Sequence, residues 1–174
     1  MAKVPFSKLG LKINTDIETI SYGDYDIEIR KYLPIEEKTE LISNVLNLSL
    51  DDNGFYNPLK VKVFLTLETV YFYTNLSFTA KMKEDGLKLY DILLSTGLFN
   101  KILNCIPQIE WEELQDTIKH LIENIYNYKN SVLGILDIIS TDYSNLNLDI
   151  NALTDKLLND ESLTTLKQLT PLVQ

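Results

Sequence analysis

The chain has 174 residues, 45% of them apolar and 24% charged, which is long enough for a buried core and too apolar for a disordered chain. Its formal net charge is −9, and Arg30 is the only arginine among 16 basic residues. That balance argues against a surface built to hold phosphates, so no nucleic-acid partner is expected.

No apolar run approaches the roughly 20 residues that cross a bilayer, so no membrane partner is expected either. The opening Met1-Ala-Lys-Val-Pro-Phe has no apolar signal stretch, and a cleaved secretory leader is not expected. Abundant Lys, Ile and Asn point to an AT-rich coding sequence.

Residues 1–9 read as an irregular tail. From Ile17 to Tyr32 the residues alternate, with Tyr25, Ile27 and Ile29 on one face and Asp26, Glu28 and Arg30 on the other. Period two around Gly23-Asp24 predicts a β-hairpin within a region spanning 10–32, and Leu11 and Ile13 offer a third strand. A two-stranded ribbon is marginal alone, so this one has to lie on the helices or pair with another chain.

Leu33-Pro34 then opens the helical region, 34–170. Pro34 suits a first helical turn, and Glu36 and Glu37 suit its positive end. Ile35, Leu41, Ile42, Val45, Leu46 and Leu48 form the apolar side, and Asp51-Asp52-Asn53-Gly54 is a stop.

Residues 58–75 alternate like a strand in Lys60-Val-Lys-Val-Phe-Leu-Thr-Leu. Asn57-Pro58 is a helix start, however, and the run is long for one strand. A buried central helix is expected. Residues 75–83 read as a polar connector, and helices follow over 84–94 and 98–105, with breaks at Gly97 and Pro107.

Beyond Gln108 the apolar residues Trp111, Leu114, Ile118, Leu121, Ile125, Tyr128, Val132, Ile135 and Ile139 recur in steps of three and four. That is the seam of one long helix reaching about Ser140, with Gly134 inside it. The seam packs on the helices at 35–50 and 58–75 or, in the other reading, on a partner or a second copy. A loop over 141–149 and short helices near 150–158 and 161–169 complete a single domain, residues 1–174. The expected fold class is mainly α (α+β): a multi-helix domain with one long helix in its C-terminal half and a small N-terminal β-hairpin.

Catalytic chemistry finds little to work with. Cys105 is the only cysteine and His120 the only histidine, so no internal disulfide, no His-based metal site and no Cys/His cluster is available within one chain. Glu36/Glu37 and Glu112/Glu113 are adjacent pairs whose side chains diverge by about 100° on a helix. Asp51-Asp52-Asn53-Gly54 lacks the remaining ligands of a calcium loop. No glycine-rich phosphate loop, zinc motif or nucleophile elbow occurs. The expectation is a non-enzyme with no cofactor and no metal. Its candidate contact residues are Trp111, Leu114, Ile118, Leu121, Ile125, Tyr128 and Val132.

Five stretches carry a resemblance: Lys31-Tyr-Leu-Pro-Ile-Glu-Glu-Lys38, Asn57-Pro-Leu-Lys60, Tyr73-Thr-Asn-Leu-Ser-Phe-Thr79, Lys88-Leu-Tyr-Asp91 and Tyr128-Lys-Asn-Ser-Val-Leu-Gly-Ile-Leu136. From about residue 25 to 165 the chain resembles a family of small acidic proteins of tailed bacteriophages and prophages of low-GC Gram-positive bacteria. These proteins are encoded within structural gene regions and have no active-site residues. The resemblance implies a role in virion morphogenesis at the tail or neck, as a virion component or as a tail-assembly chaperone that covers the tape-measure protein. The implied partners are other phage proteins or a second copy of the chain, in the host cytoplasm or the virion. A phage-encoded inhibitor that occludes a host defence protein, in the manner of an anti-CRISPR, is the other class left open.

Overall fold

The alternation at 17–30 folds as expected. Strand β1 (Ile17–Tyr22) and strand β2 (Tyr25–Arg30) form an antiparallel hairpin in which Tyr22 faces Tyr25 and Ile17 faces Arg30. Two residues close it, and Gly23 turns with a positive φ of 63°, a conformation glycine adopts without strain. The structure, a computed structural model, describes residues 3–51 and 54–136.

Ile27 and Ile29 are buried as the pattern requires, while Tyr25 at the tip of the same face stays exposed. Leu11 and Ile13 form no third strand and are exposed. Residues Phe6–Leu9 of the expected tail wind into one 3-10 turn.

The free edge of β2 docks on the helices. Ile29 bridges to Thr74, the Asn75 amide donates to the Glu28 carbonyl at 3.2 Å, and Glu28 N–H donates to Asn75 Oδ1 at 3.1 Å. The marginal ribbon is thus tied to the exit of the central helix.

Helix α1 (Ile35–Ser49) begins after Pro34 and carries Glu36 and Glu37 in its first turn. Leu41 and Val45 are buried and Ile42 and Leu46 half-buried, whereas Ile35 and Leu48, read as core-facing, are exposed. Helix α2 (Pro58–Tyr73) confirms helix over strand. Asn57 Oδ1 accepts from the amides of Leu59 at 2.9 Å and Lys60 at 3.2 Å, with Pro58 in the first turn. From Leu65 to Val70 every residue is buried, which is why the periodicity there was blurred: a helix covered all round has no polar stripe.

Its threonines are satisfied locally. Thr66 and Thr69 hydroxyls donate to the carbonyls four residues back, at 3.0 and 2.6 Å. Losing the Asn57 cap in Asn57→Ala is expected to destabilise the fold by about 1 kcal/mol, read as a lower denaturation midpoint with an unchanged urea m-value.

The connector after α2 holds a short helix, α3 (Ala80–Glu84), capped by Thr79, whose hydroxyl accepts from the Met82 amide at 3.3 Å. Helices α4 (Gly86–Ser95) and α5 (Leu98–Cys105) follow with the break at Gly97 as expected. Gly97 sits at φ 71°, the left-handed conformation needed there. Helix α6 (Gln108–Lys129) begins just past Pro107.

The chain divides into two units, the first Met1–Ile122 and the second beginning at Glu123. The core of the first joins Ile27, Ile29, Leu33, Leu41, Val45, Val63, Val70, Ile102, Leu114 and Ile118 around α2.

The unbroken helix to Ser140 is not observed. α6 ends at Lys129, and Ser131 starts a new helical stretch at 132–136. The Ser131 hydroxyl donates to the Tyr128 carbonyl at 2.6 Å and accepts from Gly134 N–H at 3.1 Å, the geometry of a cap. Asn130-Ser131 prefer local side-chain hydrogen bonds to helix continuation, and that preference overrides the apolar register. Gly134 fits this break, since a Cβ there would overlap the Tyr128 carbonyl. The expected loop at 141–149 and helices at 150–158 and 161–169 lie outside the described residues.

Candidate functional site

The break divides the candidate contact residues. Leu114 and Ile118 are core, and Trp111 is half-buried, its ring edge-on to Phe99 with centroids 6.1 Å apart. Leu121 is 38% exposed. In the second unit Ile125 is half-buried, Tyr128 is exposed, and Val132 is 75% exposed on a separate helical stretch. Trp111 to Tyr128 therefore share one helix, and Val132 falls on a separate stretch.

Beside that seam, α1 and the first half of α6 leave an open groove of about 230 Å³. Its apolar walls are Ile42 and Leu46 on α1 and Leu114 and Leu121 on α6. The hollow exists because Thr39 and Ser43, one turn apart on α1, and Thr117 opposite are short. Where larger side chains would interdigitate, the two helices leave space.

One end of the groove is closed by a buried ionic cluster that sequence reading missed. Lys38, only 4% exposed, extends between the helices. Its ammonium donates to Glu110 Oε2 at 2.9 Å and Glu113 Oε2 at 2.6 Å, and it lies 4.6 Å from the centre of the Tyr32 ring. Glu110 is equally buried and fully used: its Oε1 accepts from the Leu33 amide at 3.0 Å and from the Tyr73 hydroxyl at 2.9 Å. The cluster joins the hairpin exit, α1, α2 and α6 at one point.

Burial alone would lower the Lys38 pKa, but hydrogen bonds and charge from Glu113 and Glu110 outweigh it and hold the ammonium above its usual range. The Tyr73 phenol is pushed up, first by burial and then by the neighbouring Glu110 charge, and stays a donor. A raised lysine contributes stability that is present below its unfolded pKa and lost as pH rises through the folded value. With Lys38 held as an ammonium and Tyr73 as a phenol, the cluster reads as a fastener of the helices.

Arg30 makes a second clasp. Its guanidinium grips Glu37 with both nitrogens, at 3.1 and 2.6 Å, and also donates to the Phe72 carbonyl, through Nε at 3.1 Å and through Nη2. A cation on the last turn of α2 also complements that helix end.

Glu68 is the one poorly compensated buried carboxylate of the described core polar set. Asn44 Nδ2 donates to it at 2.9 Å, but burial still raises its pKa. A raised carboxyl binds its proton more tightly folded than unfolded, so ionisation weakens the fold at neutral pH. Glu68→Gln, which keeps an acceptor for Asn44, is therefore expected to raise the melting temperature at pH 7. The gain should shrink as pH falls toward the ordinary glutamate value, and equal gains at pH 7 and pH 4 would contradict the assignment.

Cys105 is buried, and its thiol donates to the Lys101 carbonyl at 3.3 Å. Burial, then the Glu18 carboxylate, push its pKa up, away from a reactive thiolate. Glu18 and Lys31 pair at 2.9 Å beside it, at the mouth of a shallow hollow of about 520 Å³ that Trp111 also lines. His120 lies exposed on α6. Among the described residues no three His, Cys, Asp or Glu side chains converge to hold a metal, and no helix is long and apolar enough to cross a membrane. No family model, curated protein or solved structure matches the chain.

Proposed function

We propose that the chain is a non-catalytic bacteriophage protein that acts through protein–protein contacts in virion morphogenesis at the tail or neck, as a virion component or as a chaperone of the tape-measure protein. Its place would be the host cytoplasm or the virion. The observation that carries the contact role is the apolar surface of the first unit. The α1–α6 groove lies open, and Val4, Phe6, Leu9, Leu11 and Ile13 in the segment before the hairpin stand in solvent. Apolar surface of that extent on one small protein fits a contact face. The ionic clusters around it are saturated and serve the fold. The phage setting is supported by the resemblance of the five stretches between Lys31 and Leu136.

The competing reading, occlusion of a host defence protein, draws on the net charge of −9, which suits a surface that competes for a basic partner. Deleting the gene from the phage that carries it separates the two. The assembly role predicts few complete particles in every host. If particles assemble normally and infection fails only where a host defence system is present, the assembly role is wrong. Gene order gives an independent check, since flanking genes for a major tail protein and a tape-measure protein accompany the assembly role.

A further inference from the structure

The segment from Lys3 to Asn14 is chemically unlike the rest of the chain. It carries Lys3, Lys8 and Lys12 and no carboxylate before Asp16, in a protein whose net charge is −9. Its apolar residues are not spent on the fold: Phe6 is 73% exposed, and Val4, Leu9, Leu11 and Ile13 are likewise in solvent. The 3-10 turn Phe6–Leu9 places Phe6 and Leu9 three residues apart, where side chains eclipse on one side of the turn. The Asp16 amide donates to Asn14 Oδ1 at 2.8 Å, which fixes where this arm leaves the hairpin.

The α1–α6 groove is the complement of such an arm. Its walls are apolar, and its volume of about 230 Å³ exceeds the roughly 150 Å³ cavity known to hold a benzene ring. Its border is acidic: Glu113 lines it, and Glu36, two turns before Ser43 on the same side of α1, is exposed. Lys38, the one cation in the lining, is already neutralised by Glu110 and Glu113. Lys119 is two residues from Thr117, about 200° round the helix and facing away.

We infer that the arm of one copy seats in the α1–α6 groove of a second copy, with Phe6 and Leu9 in the hollow and the arm lysines against the acidic border. The chain carries both halves of the contact, and its own arm leaves its own groove open. This stands whether or not the protein works in particle assembly.

Three preparations of the full chain test it by light scattering and thermal melting. The natural sequence is expected to gain mass with concentration, and to lose that gain as salt screens the lysines. Phe6→Asp with Leu9→Asp removes the arm's anchors, and Ser43→Arg blocks and charges the groove. Each is expected to stay at one-chain mass with an unchanged melting curve, because all three positions are exposed. Should Ser43→Arg melt early, Thr117→Arg on the opposite wall replaces it. Mixing the arm-disabled and groove-blocked proteins is expected to restore association, one supplying the groove and the other the arm. One-chain mass for the natural sequence at all concentrations, association surviving either change, or a mixture that stays dissociated would overturn the inference.

Discussion

Ile118→Asp is expected to unfold the first unit. Ile118 is 3% exposed, in the core that also holds Leu114 and Ile102. An aspartate there either buries an unpaired carboxylate or drags α6 off the core. Either course costs several kcal/mol, comparable with the whole stability of a typical domain. Val132→Asp, at an exposed position on the other side of the Asn130–Ser131 break, is expected to leave melting unchanged within about 0.5 kcal/mol. A folded Ile118→Asp protein with a native melting curve would refute the placement of the seam in the core.

The second large effect is expected at Glu110. Glu110→Ala leaves the Leu33 amide and the Tyr73 hydroxyl without their acceptor and takes one of two carboxylates from a buried Lys38. Breaking a buried ion pair from one side costs about 3–5 kcal/mol, most of it from the groups left stranded. Lys38→Met in the Glu110→Ala background removes the stranded ammonium, so the double variant is expected to be more stable than Glu110→Ala alone. Tyr73→Phe, which removes one donor and leaves Glu110 with two, is expected to lose about 1 kcal/mol. Urea denaturation of the natural protein, Glu110→Ala, Lys38→Met and the double variant reads the cycle. Additive losses for Lys38 and Glu110 would show that the cluster is not one unit.

Local chemistry explains which parts of this fold were legible in the residues. Asn57-Pro58, Gly97 and Pro107 act within a turn of themselves, through a cap, a positive φ or a missing donor, and each boundary fell where it was read. The hairpin was legible for the same reason, since Gly23-Asp24 and the alternation around it are neighbours in sequence.

Lys38 shows the opposite case. On α1 its position reads as a surface lysine, and only Glu110 and Glu113, more than 70 residues away, make its burial tolerable. A signal existed: position 38 falls one turn before Leu41 and Ile42, on the apolar side, where a lysine needs a partner. The break at Ser131 was missed because the apolar register continues through it, and capping by Ser131 competes with that register over only a few residues. The groove could not be read from either helix. It arises where Thr39, Ser43 and Thr117 meet, and their short side chains carry no mark of facing one another until the helices pack.

The proposed role of this protein is contact with other proteins during particle assembly. Quantitative mass spectrometry of purified phage particles, and of tail intermediates isolated from the same infected cells, tests it most directly. The account predicts the chain on tail material, at fixed copy number in finished particles if it is a virion component, or on the intermediates alone if it is a chaperone. Its absence from both, with recovery of the chain in a stoichiometric complex with a host protein, would contradict the account.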